Sequence, residues 1–391
     1  MRVIIIHQYF RTPEEGGGIR SYYLAKGLLA KGHDVEIITA HNDKTITKHI
    51  EGITVHYLPV YYDNKLGAIS RIWAFVKFVI LAINKACLLP KGNINYAIST
   101  PLSVGIIALT LRVLRRTPYI FEIGDLWPEA PIQLGYIKNI FLKNLLYWFE
   151  KYIYCKSRNI VAMSPDIERY VLNTQPADKV IMIPNMSDCD FYYPSDKSRT
   201  SLDKFDVAGK FVIAYIGTAG RANHLEYLVD AAEASNLVFP QVQFLVASSG
   251  RELSRMKNLV DKAGLSNIRF INYLDRAGVK ELLNITDAVY VSFANVPILS
   301  SGSPNKFFDG LAAGKLIITN FGGWTKDIIE KHECGFSYNS EEANTFSEQL
   351  APYLKSEELL LKSKNNARQV AEKHYSRNGL IEEWMKLFDI E

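Results

Sequence analysis

Short apolar runs recur along the chain, each followed by a polar turn and then by an apolar stripe at helical spacing. In the first half the runs are Val3–Ile6, Val35–Thr39, Val55–Pro59, Tyr96–Ser99, Tyr119–Ile123, Ile160–Met163 and Val180–Ile183. In the second half they are Phe211–Ile216, Phe244–Ala247, Ile268–Phe270, Ala288–Val291 and Leu316–Thr319. Runs this short that are apolar on both faces suit strands of a parallel sheet covered on both sides. The residues between them read as helices. Ile19–Lys31 places Tyr22, Ala25, Leu28 and Leu29 on one side and ends at Gly32. Strand, loop, helix, strand is the opening of a doubly wound α/β sheet, and it occurs twice. Between the two sets, Ser187–Ala208 is polar, carries Pro194 and has little periodicity, as an interdomain linker would. The expected division is a first domain over 1–190, a linker over 191–208 and a second domain over 209–373. A C-terminal helix over 374–391 is long enough to pack across onto another element.

Two stretches depart from this pattern. Leu66–Gly92 combines Trp73, Phe75, Phe78 and many aliphatic residues with Arg71, Lys77, Lys85 and Lys91, and has no acid. Tyr136–Lys156 repeats the combination, with Phe141, Trp148, Phe149 and Tyr152 among four lysines and Glu150. Such helices suit an anionic membrane surface, their rings in the interface and their bases toward the headgroups. The alternative is a pair of core helices with solvated edges.

Composition narrows the field. At 391 residues the chain can hold two ordinary cores, and 48% hydrophobic with 22% charged residues is globular. Net charge is +4, so nothing global points to nucleic acid. Cys87, Cys155, Cys189 and Cys334 are scattered, with neither metal-ligand spacing nor a disulfide framework, which suits a reducing cytoplasm. The apolar start, Val3–Ile6, is too short for a secretory signal, and no apolar run approaches the length of about 18 residues that a span requires. HExxH, Walker, GxSxG and CxxC patterns are missing, so metalloprotease, P-loop, hydrolase and thiol-redox chemistry are not the default.

Candidate chemistry lies in the loops that follow strands. Gly16–Gly18 comes after the first run, beside Glu14 and Glu15, and reads as a flexible hinge or a plain turn. Gly124-Asp125-Leu126-Trp127-Pro128-Glu129 follows Ile123, where such sheets keep reactive groups, so Asp125 is the first candidate there and Glu129 and Glu122 weaker ones. Gly217-Thr218-Ala219-Gly220-Arg221 follows the first strand of the second set. Ser300–Asn320 has the strongest pattern. Ser303 can cap a helix, Pro304 suits its first position, Lys306 and Asp309 share a face, and Gly314 stands where a left-handed residue would end it. A Gly/Ser loop feeding a helix N-terminus favours bound phosphate, and a carboxylate there can accept from a ribose hydroxyl. An ordinary αβ unit with a solvated Lys–Asp pair is the competing reading.

Pro304–Lys315 (PNKFFDGLAAGK) and Gly124–Pro131 (GDLWPEAP) resemble the bacterial glycosyltransferases of family four. The likeness is nearest to those that build surface polysaccharide, O-antigen or capsule, on lipid-linked intermediates with UDP-N-acetylated amino sugars. HQYFRTPEEGGG after the first run, VAMSP at 161–165, IPN at 183–185 and YIGTAG at 215–220 extend the resemblance over nearly the whole chain. It implies two Rossmann-like domains facing a cleft (GT-B type), the acceptor bound mainly by the first and the nucleotide-sugar mainly by the second. It also implies transfer with retention, no obligatory metal, and a C-terminal helix returning to the first domain. The family's two glutamates around the signature helix are Ser301 and Asp309 here. The common arginine after the glycine ending the second domain's first strand is Thr218, the lysine-glycine pair beyond it is missing, and Gly124-Asp125 stands where many relatives have a histidine.

On this resemblance the donor contacts are Gly17, Gly18, Gly217, Thr218, Ser303, Pro304, Asn305, Lys306 and Asp309. Lys306 and Arg221 would neutralise the departing diphosphate, and Asp125 would face the acceptor. The expected partners are a UDP-sugar, a polyprenyl-diphosphate-linked acceptor and an anionic membrane, at the inner face of the cytoplasmic membrane. The oligomeric state is left open. Two other classes share the pattern: an isomerase like the UDP-N-acetylglucosamine 2-epimerases, and a non-catalytic assembly protein of the same pathway.

Overall fold

Burial on both faces turns the first-half runs into one sheet of a computed structural model that describes residues 1–63, 66–342 and 344–389. Its strands are β1 (Arg2–Ile6), β2 (Asp34–His41), β3 (Ile46–Ile50), β4 (Ile53–Pro59), β5 (Ile94–Ser99), β6 (Tyr119–Ile123), β7 (Asn159–Ala162) and β8 (Val180–Met182). They lie in the order β3-β4-β2-β1-β5-β6-β7-β8, all pairs parallel except β3 with β4. Helices α1 (Arg20–Ala30), α2 (Ala68–Leu88), α3 (Val104–Arg115), α4 (Glu129–Gln133), α5 (Ile140–Lys156) and α6 (Pro165–Leu172) connect them. The chain divides into two compact units, and this sheet belongs to the one made of Met1–Pro184, Ser301–Ser303 and Leu380–Glu391.

The second unit, Asn185–Ser300 with Pro304–Gly379, holds the other sheet. It consists of β9 (Phe211–Thr218), β10 (Val242–Ser249), β11 (Ile268–Ile271), β12 (Ala288–Val291), β13 (Leu316–Thr319) and β14 (Gly335–Ser337) in the parallel order β11-β10-β9-β12-β13-β14. Its helices are α7 (Arg199–Lys204), α8 (Glu226–Asn236), α9 (Leu253–Ala263), α10 (Arg276–Ile285), α11 (Asn305–Ala312), α12 (Trp324–Lys331), α13 (Asn344–Lys355) and α14 (Glu357–His374). One more helix, α15 (Arg377–Met385), runs from the end of this unit into the last segment of the first.

Several elements differ from the sequence reading. The β3–β4 hairpin was not expected. Its signal is local: Glu51 and Gly52 both have positive φ, 46° and 90°, the two-residue turn that matches strand twist. Helix α5 begins at Ile140 under the side-chain cap of Asn139, so Tyr136–Lys138 precede it. The stretch read as a linker, 191–208, contains α7 and sends Tyr192, Phe205 and Val207 into the cores of the second unit. Of the C-terminal stretch 374–391, residues 390 and 391 lie outside the described residues.

A buried polar chain locks the first unit. Arg20, at the start of α1, donates through Nε to both oxygens of Glu122 on β6 at 3.1 and 3.0 Å. Its other nitrogens donate to the carbonyls of Pro184 and Ile183, at 2.5 and 2.9 Å. Tyr96 on β5 donates to Glu122 at 2.5 Å and accepts from the indole N–H of Trp384 on α15 at 2.8 Å. On the opposite helix layer, a Cβ at Gly105 of α3 would lie 2.2 Å from Ile153 Cδ1 of α5, so the two helices meet only because that position is glycine.

Removing one partner of a buried, hydrogen-bonded pair leaves the other charge uncompensated. Arg20→Met is therefore expected to lower unfolding free energy by about 3–5 kcal/mol, which urea denaturation of the purified variant would measure. A loss below about 1 kcal/mol would mean the pair is dispensable.

Candidate active site

The signature loop and helix sit at the carboxyl edge of the second sheet. Helix α11 starts one residue later than expected: Pro304 is the N-cap residue, with ψ 124°, so Ser303 stands one position before the cap. Asn305 is exposed in the first turn, which carries no acid. At the other end Gly314 takes φ 60°, with its N–H on Leu311 and that of Lys315 on Gly310, as the glycine pattern implied.

Lys306 reaches from α11 to the end of β9. Its ammonium donates to Tyr215 Oη and Asn223 Oδ1, both at 3.3 Å, and lies 4.6 Å from the centre of the Tyr215 ring. Gly217 is the close neighbour, since a Cβ there would sit 3.1 Å from Lys306 Cε. Burial among these groups pulls the Lys306 pKa down to about 8. The loop beneath is held from several sides. The Thr218 carbonyl accepts from Tyr215 Oη and Asn223 Nδ2, both at 2.9 Å, and the N–H of Ala219 donates to Ser249 at 2.7 Å. Ser292 donates to the carbonyl of Asn223 at 2.6 Å. Thr218 and Arg221 are exposed on this loop.

Asp309, one turn after Lys306, faces another group. Burial raises its pKa to about 7, partly offset by Arg276 and reinforced by Asp188. Arg276 is ion-paired with Asp188 and lies over the Phe191 ring at 3.9 Å, while Arg377 binds the same Asp188 at 2.5 Å. The structure thus brings Lys306 together with Gly217 and, through Asn223, with Thr218. Tyr215, Asn223 and Arg276 escaped the sequence reading. YIGTAG could have pointed to Tyr215, but nothing local marks Arg276, which arrives from α10.

In the first unit, Asp125 lies just beyond β6. Its carboxylate accepts from Thr100 Oγ1 at 3.3 Å, and the protein packed around it raises its pKa although part of the side chain is open. Gly124 admits the turn, because a Cβ there would be 3.3 Å from the Ser99 carbonyl. The two weaker acids are engaged elsewhere: Glu122 in the Arg20–Tyr96 chain, Glu129 by Tyr147 Oη and by Gln133 Nε2 at 2.6 Å. Gly17 and Gly18 are exposed, and Gly17, at φ 83°, adjoins the Arg11 side chain. Glu15, although exposed, folds back to accept from the N–H of Thr12 at 2.8 Å. His7, at the end of β1, is fixed by Ser21 Oγ at 2.8 Å, and burial holds its pKa down at about 4. Among the described residues, no three His, Cys, Asp or Glu side chains gather as a metal site would need.

Helices α2, α3 and α5 pack side by side in this unit and leave apolar residues outward. On α2 these are Ile69, Ile72, Trp73, Val76 and Ile80, on α5 Phe141, Leu145, Trp148 and Tyr152, each set at the spacing of one face. Trp73 is 67% and Phe141 81% exposed, far more than core-facing residues would be. Val113 and Leu114 add the tip of α3. Exposed Lys77, Arg112, Arg116, Lys138 and Lys151 flank them. No described helix is long and apolar enough to cross a membrane.

Comparison with known proteins agrees with this architecture. Residues 15–186 match the family described as glycosyl transferase 4-like domain, and residues 198–370 match glycosyl transferases group 1. No curated protein sequence matches. Among solved structures, sucrose-phosphate synthase (tll1590) from Thermosynechococcus elongatus has a TM-score of 0.80 at 16% identity, covering 99% of this chain and 98% of its own. Anabaena Alr3699/HepE in complex with UDP and glucose has a TM-score of 0.71 at 14% identity, covering 99% of each chain. WaaG, a glycosyltransferase involved in lipopolysaccharide biosynthesis, has a TM-score of 0.69 at 14% identity, covering 100% of each. At such identities the solved structures establish the fold, two Rossmann-like domains of the GT-B type. The family matches, which between them take in most of the chain, establish the class: the protein belongs to the group 1 glycosyl transferases, with a glycosyl transferase 4-like first domain, and is a glycosyltransferase.

Proposed function

We propose that this glycosyltransferase takes an N-acetylated amino sugar from UDP, with retention, and places it on a hydroxyl of a lipid-diphosphate-linked saccharide in cell-surface polysaccharide synthesis. The observation that carries the donor half is the Lys306 ammonium, held by Tyr215 and Asn223 at the start of α11. A desolvated cation beside the positive end of a helix matches a diphosphate whose negative charge grows as the glycosidic bond breaks. Exposed Arg221, on the loop beside it, would assist. Asp309 would accept from the ribose hydroxyls, and Gly17 and Gly18 would let backbone approach the donor. The acceptor hydroxyl would attack from the side the diphosphate leaves, passing its proton to the departing phosphate oxygen, with Asp125 orienting it. Relatives of the same fold were crystallised with UDP and with UDP-glucose, and WaaG acts in lipopolysaccharide synthesis, which supports both halves of the reading. Incubation with a UDP-sugar alone separates it from an epimerase, which would convert the sugar without an acceptor.

Removing Lys306 or Asp309 should weaken UDP binding. Calorimetry is expected to show a loss of roughly 1.5–3 kcal/mol for Asp309→Ala, if its bond to ribose is charge-assisted, and a clear loss for Lys306→Ala. Unchanged affinity in both would sink the donor assignment. Asp125→Asn should instead cut turnover with UDP affinity kept, and equal loss of both would move Asp125 out of an acceptor role.

The shifted pKa values give the free enzyme a narrow optimum. Asp309 must be ionised, so kcat/KM should rise with pH through about 7. Lys306 must be protonated, so it should fall again through about 8. Lys306→Arg keeps its charge at every working pH and should abolish the alkaline limb. A pH profile of Lys306→Arg that still falls near 8 would assign that limb to another group.

The outward faces of α2 and α5 support peripheral contact with an anionic bilayer at the cytoplasmic side. A lipid-linked acceptor keeps its chain in the membrane, because each CH₂ exposed to water costs about 0.8 kcal/mol. Each base near an anionic leaflet contributes about 1 kcal/mol, so binding should be reversible and weakened by salt. Vesicle co-sedimentation should capture more protein on anionic than on neutral lipid, and Lys77→Glu with Lys151→Glu should reduce that fraction. Indifference of the wild type to anionic vesicles at low salt would make these faces oligomer contacts instead.

A further inference from the structure

Helix α5 is attached unevenly. Its buried residues are Glu150, Ile153 and Tyr154, and no residue from Ile140 to Phe149 is buried. The carboxyl-terminal half is pinned at several points. Glu150 accepts from Tyr154 and from Tyr170 of α6, both at 2.9 Å, Ile153 fills the notch at Gly105, and Arg112 of α3 donates to the Lys156 carbonyl. The amino-terminal half turns Phe141, Leu145 and Trp148 outward. On its inner side Tyr147 donates its hydroxyl to Glu129.

Glu129 is the first residue of α4, four positions after Asp125 in the same connection. There is little slack between them. Leu126 and Pro128 are buried, and the carbonyl of Leu126 accepts from the N–H of Ala130 at 2.8 Å. Asp125 itself is tied by a long bond to Thr100, 3.3 Å, so it can follow a shift of this short stretch. A force on the outer face of α5 therefore has a bonded route to Asp125: Tyr147, Glu129, the Leu126–Pro128 turn, Asp125.

We propose that Tyr147 is a positioning residue that couples lipid docking on the outer face of α5 to the placement of Asp125 through Glu129. This rests on the peripheral-membrane and Asp125 readings above, and adds that the bilayer sets turnover as well as location. Docking pushes the weakly held half-helix against the domain, and the phenol–carboxylate bond carries that displacement into the loop. A helix that merely anchored the protein would need no such bond, since Trp148 and Phe141 could bind lipid without it.

The test uses the full chain, a water-soluble short-chain acceptor and vesicles of phosphatidylglycerol. Wild type should bind the vesicles and turn over several-fold faster in their presence. Tyr147→Phe removes one hydroxyl and keeps the ring, so it should bind vesicles and turn over without them as wild type does, yet gain nothing when they are added. Glu129→Gln, which weakens the same bond from its other end, should lose most of the stimulation too. Equal stimulation of wild type and Tyr147→Phe would overturn the coupling while leaving the docking reading intact. Wild type that binds vesicles without acceleration would also overturn it. If wild type fails to bind them, the docking reading fails and the coupling falls with it. Loss of vesicle binding in Tyr147→Phe would make Tyr147 part of the docking face and overturn its positioning role.

Discussion

Everything in the first unit depends on the charge pair buried beside β6. Arg20 opens α1 and Glu122 lies in the middle layer of the sheet, and neither could stand alone there. The pair is stable because other groups share its hydrogen bonding: two carbonyls at the end of the unit accept from the guanidinium, and Tyr96 donates to the carboxylate. Trp384 then binds Tyr96, which draws residues from the far end of the chain onto the same point. Strands β5 and β6, helix α1, the segment after β8 and the C-terminal helix thus meet at one polar knot. A purely apolar contact would tolerate small slips in register among them. The fork of an arginine on a carboxylate does not.

How much of this could be read beforehand followed the range of the interactions involved. The strands were legible because burial on both faces writes a continuous apolar run into the sequence itself. Gly314 was legible for a similar reason, since a left-handed residue at a helix end is a local demand. The β3–β4 hairpin left only the pair Glu51-Gly52 and a weak alternation, because β3 is an exposed edge and holds little apolar signal. The stretch 191–208 reads as polar, yet Tyr192, Phe205 and Val207 each find a buried place through contacts with segments far along the chain. At the candidate site, position and type singled out Lys306 and Asp309. Their partners Asn223 and Arg276 came from other strand ends, and a single sequence carries no trace of that meeting.

The same separation appears in how the charged groups are used. Lys306 sits among a phenol, an amide and a glycine backbone, without a carboxylate among its hydrogen-bonding partners. Desolvation without a counter-charge is unfavourable for an ammonium, and it is what makes the group attractive to an incoming anion. Asp309 is its complement, a carboxyl lifted toward neutrality by burial and only partly rescued by Arg276. Lys315, close by in sequence, lacks that potential. Its ammonium is spent on the Asn284 carbonyl, and the charge of neighbouring Asp287 is taken by Lys197 and Lys364. Lys306 and Lys315 are alike in type and Lys315 is the more buried, so what separates them is the set of groups each faces.

Glu122 and Asp125 draw the contrast more sharply, because they lie three residues apart at the end of one strand. Glu122 has both oxygens bonded by Arg20 and one also by Tyr96, so a substrate would have to break the knot of the unit to reach it. Asp125 has one bond, to Thr100 at a length near the limit, and an open side chain. Strand geometry alone treats them equally, since both stand where parallel sheets keep their chemistry. Packing divides them: the inward carboxylate is consumed in holding the fold, and the outward one keeps a lone pair for another molecule. Glu129 follows the same logic at one remove. Its oxygens are taken by Tyr147 of α5 and by Gln133 of its own helix, so its carboxylate ties α4 to α5.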